Sequence, residues 1–229
     1  MAAPATFRNP SHEVFLEPVA IQAAMSGFVR PMPVWKRAID VLGAGVGLAL
    51  LAPFFAVVAL VVGIDSPGSP LFKQTRVGKG GRQFTCWKFR TMHRDAERMK
   101  DSLLDRNEAS GHIFKIKDDP RRTRVGILLR KTSVDELPQL WNVFRGDMSL
   151  VGPRPPVPSE VASYSVAQLR RLAVEPGITG LWQVTLRGRH DFSDMVALDT
   201  EYALRRSLWL DLRIFALTVV AVVRGEGSC

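Results

Sequence analysis

The sequence predicts an α/β chain that is mostly helical, with one small β-hairpin and a single long apolar helix near its N-terminus. Three observations carry this. Residues Val41 to Ile64 hold no charged side chain, between Lys36, Arg37 and Asp40 on one side and Asp65 on the other. Two alternating stretches flank Gly78-Lys79-Gly80-Gly81, the pattern of strands joined by a tight turn. Beyond them, several short charged or amphipathic segments have helical spacing.

Bulk properties bound the answer. At 229 residues the chain suffices for one sizeable domain, or one domain with accessories. Its 31 Lys+Arg against 22 Asp+Glu give a net charge of +9, which suits an anionic partner: nucleic acid, anionic lipid or a phosphorylated substrate. A mean hydropathy of +0.04 is too apolar for a disordered basic tail and too polar for a polytopic membrane protein. The two cysteines, Cys86 and Cys229, build neither a disulfide framework nor a metal-ligand spacing, so a reducing setting is expected. Arg8, Glu13 and Glu17, with no early apolar run, do not read as a secretory signal.

Residues 1–33 contain five prolines and read as a loose arm, with one short helix at Val19–Met25. Residues 34–65 form the apolar helix. About twenty apolar residues span a bilayer core, so the run qualifies; the alternative is a buried helix of a soluble protein. Pro53 removes a backbone hydrogen bond near the middle and predicts a kink. Arg30, Lys36 and Arg37 precede the run, and Lys73, Arg76, Lys79 and Arg82 follow it. A simple span concentrates positive charge on one side. Basic residues on both flanks and a central proline instead predict a re-entrant helix that enters, bends and returns.

Residues 66–229 form the main domain. After the Ser66-Pro67-Gly68 turn, strands are expected at Pro70–Thr75 and Gln83–Arg90. Asp95–Asn107 reads as a surface helix, Val125–Arg130 as an amphipathic one, and a third runs from Asp135 to Phe144. Another helix is expected near Ser193–Arg206. The apolar run Ile214–Val223, preceded by Trp209 and Arg213, is too short to span; it reads as an interfacial helix or as one packed on the core.

Asp135-Glu136 is the pair most suited to chemistry. Ser133 and Glu136 match a capping box, and acids in a first helical turn are ordinary. Pro138, tolerated only in a helix's opening residues, starts that helix at Val134 or Asp135. An ionised Asp can attack phosphorus, and adjacent carboxylates can hold Mg²⁺. In Gly152-Pro153-Arg154-Pro155-Pro156 the prolines stiffen the backbone around Arg154, a presentation suited to bidentate phosphate recognition; a solvated linker is the ordinary alternative. Lys88 and Arg90 alternate with Trp87 and Phe89, so the second strand can aim two cations into a site. Arg121, Arg122, Arg124, Arg130 and Lys131 cluster before the acidic pair. Gly78–Gly81 lacks the ending of a P-loop. His93, His112 and His190 have no zinc-ligand spacing.

Taken together, these strings resemble the bacterial sugar transferase family, the monotopic phosphoglycosyl transferases. The resemblance runs from Val34 to Gly227 on ordered motifs: Lys36-Arg37 with Asp40, Trp87-Lys88-Phe89-Arg90-Thr91-Met92, Phe114-Lys115-Ile116-Lys117-Asp118-Asp119-Pro120-Arg121, and Leu129-Arg130-Lys131-Thr132-Ser133-Val134-Asp135-Glu136-Leu137-Pro138-Gln139-Leu140. It continues through Gly146-Asp147-Met148-Ser149-Leu150-Val151-Gly152-Pro153-Arg154-Pro155, Pro176-Gly177-Ile178-Thr179-Gly180-Leu181-Trp182-Gln183-Val184, and Leu198-Asp199 with Tyr202. One departure stands out: Thr185-Leu186-Arg187 replaces the usual Ser-Gly-Arg.

The resemblance implies a re-entrant helix bent at Ala52-Pro53, Asp135 as nucleophile, Glu136 as its partner at Mg²⁺, and Lys88, Arg130 and Arg154, with Pro153 and Pro155 shaping the loop, as substrate-binding residues. It implies transfer of hexose-1-phosphate from a UDP-sugar, galactose or glucose, to polyprenyl phosphate on the cytosolic face of a bacterial inner membrane. Membrane lipid is then a partner, nucleic acid is not, and a homodimer is compatible. Two rivals remain at this point: a non-catalytic basic protein on anionic lipid, and a transferase without a covalent intermediate in which Glu136 acts as a base.

Overall fold

A computed structural model describes residues 18–99, 101–108, 116, 118–186 and 191–224. The first half of the arm, most of the string from Phe114 to Lys117, Arg187, His112, His190 and Cys229 lie outside the described residues. Among the described residues the chain is mostly helical with two small sheets.

The second half of the expected arm is not loose. Helix α1 (Pro18–Met25) buries Ile21 and Met25 against Val77, Leu169 and Leu172. Arg206 and Arg30 then fasten the following segment: Arg206 Nη2 donates to the Pro31 carbonyl at 2.6 Å and the Arg30 amide to the Ala173 carbonyl at 2.8 Å.

Helix α2 (Val34–Asp65) runs 32 residues with Pro53 inside it. It meets the rest of the chain along its whole length. At its start Lys36 Nζ lies 2.6 Å from Asp211 Oδ2, and Asp40 Oδ1 accepts from the Leu150 amide at 2.9 Å and the Ser149 hydroxyl at 3.0 Å. In the middle, Ala44, Leu48, Leu51 and Phe55 pack with Leu140, Val143 and Met148. At its end Val58 and Val62 meet Phe89 and Leu129, and Asp65 Oδ2 accepts from the Val125 amide at 3.2 Å. The other face is uncovered: Leu42, Val46, Leu50, Val57, Leu60 and Ile64 are 57–77% exposed. With Phe54, 42% exposed, between Leu50 and Val57, their spacing of three or four residues makes one continuous apolar stripe.

The hairpin forms where expected. Strands β1 (Leu71–Val77) and β2 (Gln83–Phe89) pair antiparallel from Leu71↔Phe89 to Val77↔Gln83. The turn uses Gly80 (φ 63°) and Gly81 (φ 82°), and a Cβ on Gly81 would fall 2.7 Å from Ile21 of α1. Arg90 differs from expectation. Its guanidinium donates to the Ser66 and Pro67 carbonyls and so clasps the end of α2 instead of entering a site.

The span Asp95–Asn107 is not one surface helix; turns cover 94–99 and a 3₁₀ helix covers Asp101–Arg106. Helix α3 (Arg124–Lys131) matches the amphipathic reading, capped by Thr123 Oγ1, which accepts from the Gly126 amide at 2.9 Å.

The helix expected from Asp135 to Phe144 is two pieces: a 3₁₀ turn at Val134–Gln139, then α4 (Leu140–Arg145). The capping box does not form. Ser133 adopts the left-handed conformation (φ 57°) and its side chain caps nothing. Pro138 accounts for the break, because its ring cannot supply the amide that a regular helix needs there.

The sequence did not reveal the second sheet. Strands β3 (Ser149–Val151) and β4 (Gly177–Thr179) pair parallel, and three residues each is too short for periodicity to register. Their backbones cross so closely that a Cβ on Gly177 would fall 2.0 Å from the Gly152 nitrogen.

Between these strands lie α5 (Pro158–Val161), α6 (Val166–Leu169) and a 3₁₀ turn at Arg170–Ala173. Helix α7 (Leu181–Thr185) ends at Leu186 with φ −101°, a conformation open to any L-residue, so this position makes no demand for the glycine usual in the resembling family. Helix α8 (Phe192–Arg205) leads to α9 (Leu208–Val223). One side of α9 packs on the core through Ile214, while Trp209, Leu212, Phe215, Val219 and Val220 are exposed. The core-packed reading therefore holds on one side of this helix, and the other side presents a bare apolar face.

Candidate active site

The site forms where β2 passes the acidic 3₁₀ turn. Asn142 of α4 locks the two together: its Nδ2 donates to the Thr85 carbonyl at 2.6 Å, and its Oδ1 accepts from the Trp87 amide at 3.1 Å. A side-chain amide thus completes backbone hydrogen bonding along β2. Lys88, the next residue, then reaches Glu136 Oε1 at 2.6 Å. Arg154 Nη1 approaches the same oxygen at 3.4 Å.

The two acids stand in different environments. Burial works to raise the Glu136 carboxyl, yet Lys88 and Arg154 outweigh it and hold the group at about 2. Asp135 is 8% exposed, and among the described residues no group donates a hydrogen bond to its carboxylate. Burial, then the charge of Glu136, pushes it up to about 6. One acid is paired and firmly ionised, and its neighbour is buried with free lone pairs. Such a split in environment marks distinct roles for adjacent carboxyls.

Arg130 stands back from this contact, its Nε donating to Thr91 Oγ1 at 2.9 Å while its charge favours ionised Asp135. Arg76, Cys86, Lys88, Glu136, Gln139, Arg154 and Pro155 line one small cleft. Arg76 was missed as a site residue. Register could have found it: Arg76 pairs with Phe84, so it shares the hairpin face of Cys86 and Lys88. Cys86 itself is buried, and burial raises its thiol.

The loop bearing Arg154 is held by its carbonyls. Prolines 153, 155 and 156 have no N–H to offer. Instead the Pro153 carbonyl accepts from the Gly177 amide at 2.9 Å, and the Pro156 carbonyl from the Val77 amide at 2.9 Å. Between them the Arg154 carbonyl accepts from Arg171 Nη2 at 3.3 Å and the Pro155 carbonyl from Arg76 Nη1 at 2.8 Å. Four successive carbonyls are thus clamped, and Arg154 is not on a loose linker.

Among the described residues no set of three or more His, Cys, Asp or Glu side chains converges as a metal cage. Glu136 Oε2 and both oxygens of Asp135 nevertheless lack donors among those residues. Mg²⁺ takes one or two carboxylates and completes its shell with phosphate and water, so this pair fits an ion that arrives with a phosphorylated substrate. A larger, shallow groove of about 580 Å³ lies between α8 and the Ala167–Arg170 segment, away from the acids. Its charged side chains include Glu201 and Arg205, which pair with each other at 2.9 Å.

Known proteins resemble this chain over most of its length. The galactosyl transferase CpsE of Streptococcus agalactiae is 47% identical over 195 residues, covering 84% of this chain but 43% of that protein. The exopolysaccharide production protein ExoY of Rhizobium meliloti is 41% identical over 208 residues, covering 89% of this chain and 92% of ExoY. The UDP-glucose:undecaprenyl-phosphate glucose-1-phosphate transferase of Caulobacter vibrioides is 42% identical over 201 residues, 84% of this chain and 71% of that protein. The chain therefore spans less than half of the streptococcal relative and nearly all of ExoY. The family model for bacterial sugar transferases matches residues 32–225, which takes in α2, the hairpin, the acidic turn and the clamped arginine loop, and the chain belongs to that family.

Proposed function

We propose that this chain is a transferase that moves hexose-1-phosphate from a UDP-sugar, galactose or glucose, to polyprenyl phosphate. The observation that carries this is the acid pair: Glu136 ionised by two cations beside an Asp135 whose carboxylate no donor among the described residues occupies. A buried carboxylate with free lone pairs is suited to nucleophilic attack.

An Asp135 oxygen attacks the β-phosphorus of the UDP-sugar, the bond from that phosphorus to the bridging oxygen breaks, and UMP leaves. An oxygen of polyprenyl phosphate then attacks the same phosphorus and releases the Asp135 carboxylate, giving polyprenyl-diphosphate-sugar. Lys88, Arg154, Arg130 and Arg76 place four cations around two carboxylates, an excess that suits a diphosphate. When bound, Mg²⁺ neutralises charge that develops on the transferring group.

The lipid acceptor requires a membrane surface. Helix α2 would be about 48 Å long if straight, more than a ~30 Å hydrocarbon core needs. Yet Asp40, near its start, and Asp65, at its end, both accept hydrogen bonds from backbone amides of the same body, at Leu150 and Val125. That supports a helix whose two ends return to one side, with its apolar stripe and the exposed side of α9 facing lipid, and the site on the cytosolic face of a bacterial inner membrane.

The test is incubation with a panel of UDP-sugars, following UMP release with and without polyprenyl phosphate. Sugar-dependent UMP release without acceptor, with phosphosugar retained on the protein, is expected. Release only when acceptor is present would replace the covalent route by direct transfer, and no release under either condition would remove the activity.

A further inference from the structure

Behind Arg154 lies an interior cluster that the proposed chemistry does not touch. Arg171, in the 3₁₀ turn after α6, is 3% exposed, Asp199 of α8 is 0% exposed and Tyr164 is 3% exposed. Arg171 Nη2 donates to Asp199 Oδ2 at 2.5 Å and to the Arg154 carbonyl at 3.3 Å, and Nη1 donates to the Tyr164 hydroxyl at 3.0 Å.

The geometry is not the one that maximises the ion pair itself. A guanidinium and a carboxylate meet best as two parallel hydrogen bonds. Here Asp199 Oδ1 and Arg171 Nε are buried with no partner among the described residues. An interior pair left partly unsatisfied contributes little to stability, because desolvating both charges offsets their attraction. What the arrangement does provide is a donor at a fixed point, aimed at the one carbonyl of the proline loop that belongs to Arg154. The neighbouring carbonyls on either side are held by β4 and β1, so a donor from the α6–α8 region closes the only gap between them.

We propose that Arg171, anchored by Asp199, is a positioning residue that acts through Arg154, fixing its peptide so that its guanidinium stays on Glu136 and on the substrate phosphates. This rests on the reading of Arg154 given above. Arg154 has rotatable bonds between peptide and guanidinium, and its contact with Glu136, at 3.4 Å, is the looser of the two that reach that acid. Holding the peptide reduces the range over which the guanidinium wanders, and misplacement by about 1 Å can cost a hundredfold in rate.

A double-mutant cycle on the full chain in lipid nanodiscs tests the idea. Arg171→Lys keeps the charge beside Asp199 but loses the planar fork that reaches several acceptors. Its kcat/KM for UMP release should fall about tenfold in the wild-type background, carried by KM for the UDP-sugar, and about twofold or less in an Arg154→Ala background. Asp199→Asn, close in shape, serves as a second variant in the same cycle and should show the same dependence on Arg154. Equal losses in both backgrounds would make Arg171 a structural residue and overturn the proposal, as would unchanged kinetics in the wild-type background. If Arg154→Ala alone leaves kcat/KM unchanged, the phosphate-binding role of Arg154 fails instead.

Discussion

Lys88 on the hairpin and Glu136 on the acidic turn meet at 2.6 Å, with their side chains only 15% and 12% exposed. This contact joins two segments 48 positions apart and sets the electrostatics of the site. With Glu136 held ionised, its charge falls on the adjacent Asp135 and adds to burial in opposing a second ionisation. Arg154 shares the same Glu136 oxygen, so hairpin, acidic turn and proline loop are tied through one atom.

Asp135→Asn should abolish phosphosugar labelling and lower UMP release at least a thousandfold, on the order of what loss of a nucleophile costs. It should also raise stability at neutral pH. Folding lifts the carboxyl from its ordinary 3.8 to about 6, so the fold favours the protonated form. The stability from this group is full below about 3.8 and is lost as pH rises through about 6. A higher Tm for the Asn variant at pH 7.5, with the gain vanishing near pH 4, is the expected scan. Near-normal turnover would remove Asp135 from the mechanism.

The same group sets an acid limb in wild-type activity. In the proposed mechanism the attacking form is the carboxylate, so kcat/KM should fall as pH drops through about 6, by about tenfold per unit below it. Glu136, held at about 2, stays ionised throughout and adds no second limb in this range. A pH profile flat from 7 to 5 would contradict this.

Arg154→Lys keeps the charge and loses the fork. With the loop clamped behind it, the shorter reach of a single ammonium cannot be recovered by moving the backbone. We expect KM for the UDP-sugar to rise about tenfold, with membrane association intact. Unchanged kinetics would return Arg154 to a solvated role.

How much of this was legible in the sequence depended on range. The uncharged run and the Gly78–Gly81 turn act locally, and the helix and hairpin they predict are present. The capping box at Ser133 and Glu136 is also a local pattern, but it lost to Lys88 and Arg154, which take the Glu136 carboxylate from distant segments. Arg90 looked like a site cation because strand alternation cannot say what lies beyond the strand's end. There the carbonyls after α2 claimed it. The carbonyl clamp and the β3–β4 crossing were invisible for a related reason, being made between residues far apart in the sequence.

That crossing gives a stability prediction with little room to relax. A Cβ at Gly177 would sit 2.0 Å from the Gly152 nitrogen, 2.5 Å from the Thr179 carbonyl oxygen and 2.6 Å from the Val151 carbonyl carbon. All three are backbone atoms of the sheet that carries the arginine loop, so no side chain can swing away. Gly177→Ala should destabilise by about 3 kcal/mol and lower Tm accordingly. Gly63→Ala, inside α2 with nothing within 4 Å of its Cβ, is the control and should leave Tm at or slightly above wild type.

The last prediction concerns α2. Its two ends are bound to the same body, through Lys36 and Asp40 at the start and Asp65 at the end, while its apolar stripe is bare. A helix crossing the bilayer would carry one of those ends to the far side and break its contacts, leaving Lys36 or Asp65 without a partner. Cysteines placed at Gly27 and at Gly80, with Cys86 and Cys229 replaced by serine, should therefore be labelled only after the inner membrane is opened. Replacing Ala52 and Pro53 with leucines restores the missing amide and favours a continuous helix. In that variant one flank should become accessible from outside, and turnover should fall because the body can no longer hold both ends. Labelling of the Gly27 cysteine from outside in the otherwise unaltered helix would mean that α2 spans the membrane, and the re-entrant reading would be wrong.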